Sequence, residues 1–84
     1  MSKPRKAPLG NKNIVGAHVA CLRKNAGLSQ RELAAKLQCR GVDICESSLS
    51  RLEGQTRRVQ DYELAAIADS LGVPVNILIH RGKF

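Results

Sequence analysis

A chain of 84 residues makes one domain with no room for a second, and with 43% apolar residues but one Phe, one Tyr and no Trp its core must be built from Leu, Ile, Val and Ala. The formal charge of +7 favours polyanionic partners and speeds their encounter without naming a fold. No apolar run approaches the ~18 residues of a membrane span and none follows the basic start, so neither a transmembrane segment nor a secretory leader is expected, and the cytoplasm is the expected location.

Residues 1–12 hold two prolines, a glycine and four cations and bury no face. They read as a flexible basic arm, either simply solvated or adding phosphate or minor-groove contacts through Lys3, Arg5 and Lys6. The folded domain is expected over 13–80, with 81–84 as a frayed tail. A first helix is expected from Asn13 to Ala26, with Val15, Val19, Leu22 and Ala26 as its buried stripe. Gly16 is costly inside a helix and implies close approach by another one, and Gly27 supplies the left-handed stop.

Ser29 and Glu32 form a capping box for a second helix over Gln30–Gln38, with Leu33, Ala34 and Leu37 on one face. Gln38 to Ile44 then make a long turn, with Gly41 at a turn position and either Val42 or Ile44 as its apolar plug. The third helix, about Glu46 to Gly54, turns Leu49 and Leu52 inward and leaves Glu46, Ser47, Ser50 and Arg51 outward. Its cap is either Cys45, weaker than the usual Ser, or Asp43 with an earlier start that Glu46 completes.

A polar, basic turn follows at Gln55-Thr56-Arg57-Arg58, read either as a solubilising loop or as a phosphate clamp. The fourth helix, Asp61–Leu71, carries Leu64, Ile67, Ala68 and Leu71 at helical spacing and stops at Gly72, with Tyr62 at the rim. The fifth begins near Pro74. Its Val75, Ile77 and Ile79 either complete the core of one monomer or form an outer contact.

Cys21, Cys39 and Cys45 are odd in number, lack zinc spacing and have no His pair beside them, so free thiols are expected and neither a metal nor a cofactor is. No Ser-His-Asp arrangement, paired carboxylates or phosphate-binding glycine loop is present, and catalysis is not expected.

Four strings occur in order over roughly residues 13–79: Val15-Gly16-x-x-Val19-x-x-Leu22-Arg23, Gly27-Leu28-Ser29-Gln30, Leu49-Ser50-Arg51-Leu52-Glu53-Gly54 and Leu71-Gly72-Val73. Together they resemble the phage-repressor-type (lambda repressor-like, XRE/Cro) helix-turn-helix DNA-binding family, in a branch with a longer turn between helices 2 and 3. The resemblance implies a compact all-α, five-helix domain, an Arg23–Glu53 pair, and a third helix that enters the major groove of double-stranded DNA. Base reading would fall to Glu46, Ser47, Ser48 and Arg51, with Glu46 either accepting from cytosine or serving only as a cap carboxylate. Phosphate binding would fall to Gln30, Arg40, Arg57 and Arg58. Helix 5 would join a homodimer, and the expected function is a sequence-specific transcriptional regulator of the repressor kind. The rival is a protein-interaction module, an antitoxin or adaptor that uses its apolar C-terminal surface on a protein partner. RNA binding is disfavoured by the shortage of aromatic side chains for stacking.

Overall fold

The capping box at the start of the second helix is closed in both directions. The Ser29 hydroxyl accepts from the Glu32 amide at 3.0 Å, and the Glu32 carboxylate accepts from the Ser29 amide at 2.8 Å. The computed structural model describes residues 10–79, with α1 at Gly16–Asn25, α2 at Gln30–Cys39, α3 at Glu46–Glu53, α4 at Asp61–Leu71 and α5 at Val75–Ile79. No strand is present among the described residues. The sequence expectations for residues 1–9 and 80–84 lie outside them.

One core joins all five helices. Val19 of α1, Leu33 and Leu37 of α2, Leu49 and Leu52 of α3, Ile67 of α4 and Leu78 of α5 are completely buried. Each such Leu or Ile contributes roughly 1.5–3 kcal/mol of apolar burial, which holds helices that are too short to be stable alone. α1 packs on α3, α4 and α5, α2 packs on α3 and α4, and α4 packs on α5.

α1 starts three residues later than its sequence pattern predicts, because Asn13 is used as a tether. Its Oδ1 accepts from the amides of Val15 and Gly16 at 3.1 and 2.8 Å, and its Nδ2 donates to the carbonyls of Leu52 and Arg57 at 3.1 and 2.7 Å. One side chain therefore caps α1 and ties it to the end of α3. Gly16 lies buried where α1 meets that end. Ala26, predicted to be in the stripe, is exposed at the C-cap, since Gly27 at φ 74° turns the chain away.

Both candidates for the plug of the long turn are used. Val42 and Ile44 are buried with exposed Asp43 between them, as extended backbone alternates its side chains. The turn is closed by Gln38 Nε2, which donates to the Ile44 carbonyl at 2.8 Å, and Gly41 takes its left-handed corner at φ 82°. α3 therefore starts at Glu46 with Cys45 as its cap residue, and Asp43 does not begin the helix.

α3 ends at Glu53, with Gly54 as its C-cap. Gly54 keeps a right-handed φ of −79°, and the left-handed residue is Gln55 at 61°. Gly54 is buried because the chain entering α1 pairs with it: the Gly10 amide donates to the Gly54 carbonyl and the Lys12 amide to the Gln55 carbonyl, both at 2.9 Å. Gly10 and Lys12 are thus tied to the turn that follows α3. Thr56 closes the turn, its amide and hydroxyl both donating to the Arg51 carbonyl at 2.9 and 3.1 Å.

Candidate nucleic-acid interface

The position of α2 on α3 rests on a short chain of polar groups. Glu53, at the last turn of α3, is 2% exposed and accepts from Arg23 Nε at 2.7 Å and Nη2 at 3.0 Å. Arg23 Nη1 also donates to the Leu28 carbonyl at 2.8 Å, which fixes the link between α1 and α2. A third hydrogen bond to Glu53 comes from Gln30, whose Nε2 donates to Oε1 at 3.0 Å. Gln30, the first residue of α2, is thereby held in orientation with one amide hydrogen still available.

On α3, Glu46, Ser47, Ser50 and Arg51 are exposed. They sit opposite Leu49 and Leu52 and form one polar face, the four outward positions that the sequence pattern predicts. Ser48 is half-buried on the flank, its Oγ 3.4 Å from the Cys45 sulfur, while Ser47 Oγ lies 3.2 Å from that sulfur. The hydrogen bonds of Ser47 and then Ser48 lower the exposed Cys45 thiol to about 6.

The four residues expected to bind phosphate are placed differently from one another. Arg58 is exposed and bonds to none of the described residues. Arg57 is half-buried and grips Glu63 through two parallel bonds, Nη1 to Oε1 at 3.2 Å and Nη2 to Oε2 at 3.1 Å. Arg40 pairs with Asp69 of α4 at 2.6 Å on the open surface, where such a pair is worth under about 1 kcal/mol and yields readily to another anion. Arg57 and Arg58 flank the end of α3, whereas Arg40 stands on the α4 side of the long turn.

Sequence reasoning missed Glu63 and Asn13. Glu63 is buried at the third position of α4, where its Oε1 accepts from the Gln60 amide at 2.9 Å while both oxygens take Arg57. Its place three residues after Gln60, at the start of an apolar stripe, is the signal that was available. Burial pushes its carboxyl up, but the Arg57 hydrogen bonds, the Gln60 amide and the Arg57 charge outweigh it and hold it below the ordinary 4.5. A lowered carboxyl stabilises the fold fully above its unfolded value, and this contribution is lost as acid carries the pH down through the folded one. Melting temperature is therefore expected to fall below about pH 4.5. In Glu63→Gln part of that acid slope should vanish, while stability at pH 7 drops. An identical slope in melting curves of variant and wild type would refute the assignment.

No helix among the described residues is long and apolar enough to cross a membrane, and no group of three or more His, Cys, Asp or Glu among them is arranged to hold a metal. No protein-family model matches the chain. No curated protein sequence matches it either. Among solved structures it is similar to the clp gene regulator ClgR from C. glutamicum, with a TM-score of 0.68 and 29% identity over 81% of this chain and 83% of that one. The chain thus has the helix-turn-helix fold of an XRE/Cro-type transcriptional regulator, a DNA-binding architecture and not that of an enzyme.

Proposed function

We propose that this protein is a sequence-specific double-stranded DNA-binding regulator, acting as a repressor in the cytoplasm, that lays α3 in the major groove. The observation that supports this best is the polar face of Glu46, Ser47, Ser50 and Arg51 on a helix whose far end is locked to α1 and α2 through Glu53. A surface helix needs no such anchoring for solubility, whereas base reading needs side chains held in one register. Gln30, Arg57 and Arg58 anchor phosphates on either side of that face. Arg57 supplies the donors that Glu63 leaves unused, and Arg58 supplies a full charge. Arg51 takes a guanine edge, with the serines as weaker readers.

The exposed Val75 and Ile79 of α5 support pairing of two copies, which would set two reading helices on half-sites about 34 Å apart. Selection of duplexes from a random pool by the purified protein is expected to enrich a palindrome. Arg51→Ala should relax one position in each half-site, at a cost of about 1–3 kcal/mol there. Salt-sensitive binding with no enriched sequence would overturn the reading. The same exposed apolar residues favour the second reading, an antitoxin or adaptor, and a monomer in solution that selects no DNA would support it.

A further inference from the structure

Between the segment entering α1 and the end of α5 runs an open groove of about 380 Å3. Its walls are Ile14, Val59, Leu64 and Ile79, and Lys12 and Arg58 stand on its rim. Ile14 and Ile79, both lining it, remain 50% and 42% exposed, large values for isoleucines. Asn13 also lines it but has nothing left to offer a ligand, since both its amide hydrogens and both lone pairs of its oxygen are engaged with backbone groups. No carboxylate is among the described residues that line the groove.

We infer that this groove docks an extended segment of a partner protein, apolar in the middle and flanked by Asp or Glu. The apolar walls provide the driving force through burial. The paired cations select the flanks, because a carboxylate beside Arg58 or Lys12 gains a partner where a cationic flank would be repelled. A second copy of this chain is a poorer occupant than an acidic segment, because it carries a net charge of +7 and the groove's described lining brings no carboxylate to the two cations. A small ligand would leave much of itself in water, whereas a chain lying along the groove covers both isoleucines.

The docking has a consequence that rests on the DNA-binding reading. Arg58 serves both the groove rim and the proposed phosphate contact, and Ile79 serves both the groove and the proposed pairing face. A docked acidic segment would engage both and so release the protein from DNA.

The test is selection from a random peptide library displayed on phage, without DNA, followed by fluorescence anisotropy of the best synthetic peptide. Apolar peptides with acidic flanks should be enriched. Their affinity should fall about tenfold or more, 1.4 kcal/mol, for Ile14→Gln and for Lys12→Ala. Both positions are exposed, so unchanged melting curves will show the variants folded. Failure to enrich, enrichment of peptides without acidic residues, or equal binding to wild type and both variants would each overturn the proposal. So would a dimer that Ile14→Gln dissociates while no peptide binds, since the groove would then belong to the second copy. Because peptide binding is read directly and without DNA, a failure of the DNA reading would leave this result unchanged.

Discussion

Glu53→Ala is expected to cost about 3–5 kcal/mol, a large part of the 5–15 kcal/mol that holds a domain of this kind together. The Glu53 carboxylate is 2% exposed and its partner Arg23 is 10% exposed at the side chain, so removing the carboxylate strands a guanidinium whose one remaining described bond is to the Leu28 carbonyl. At 4–8 °C per kcal/mol for a chain of this length, the melting temperature should drop by on the order of 15 °C or more. Thermal denaturation followed by circular dichroism measures this, and a loss under about 1 kcal/mol would show that the pair is not desolvated. The double variant Arg23→Met with Glu53→Leu is expected to recover most of the stability, since apolar replacements avoid the desolvation cost. It should not recover DNA affinity, because Gln30 loses the acceptor that orients it. Stability and binding then separate, which places the value of this pair in positioning.

Gly16→Ala sets two effects of opposite sign against each other. Helix propensity alone favours Ala, by less than the roughly 0.8–1.0 kcal/mol of a helix interior because Gly16 is the first residue of α1. In the fold, however, a Cβ at Gly16 would be driven into the carbonyl oxygen of Leu52 and lie 2.8 Å from that of Glu53. Both obstacles are backbone of the last turn of α3, held by the core through Leu52, and neither can rotate away. α1 would have to lift off α3, stretching the Asn13 bond to Leu52 and disturbing Arg23 on the same helix. Overpacking of this kind costs typically 1–3 kcal/mol, so the net effect is destabilising by about 1–2 kcal/mol. Chemical denaturation with an unchanged slope and a lower midpoint is the expected result. A midpoint that rises would mean that propensity outweighs the contact.

The sequence carried the helices well because each has a local signal. The Ser29–Glu32 box marks the start of α2, Gly27, Gly41 and Gly72 mark left-handed corners, and Leu49 with Leu52 marks the inner face of α3. α4 occupies the predicted Asp61–Leu71 for the same reason. The end of α3 had no such reading from the sequence: Gly54 pairs with Gly10 and stays right-handed, and Gln55 takes the left-handed turn.

Side chains that act across the fold were the less legible part. Asn13 looks like an ordinary helix-start residue, and nothing local says that its amide ends on Leu52 and Arg57, 39 and 44 positions away. Arg57 and Arg58 are neighbours of identical type, yet Glu63 claims one and leaves the other exposed. Arg40 looks like a loop-tip cation, and the packing of α2 on α4 brings it to Asp69.

By itself, then, the sequence determined the all-α architecture, the α2–α3 pair and the polar outer face of α3, since periodicity, caps and glycine corners act over a few residues at a time. The tertiary structure alone decided which cations stay exposed, where the chain enters α1, and that a groove opens beside Ile14 and Ile79. These depend on pairs brought together from distant parts of the chain, and their energies arise only once burial has removed the competing water.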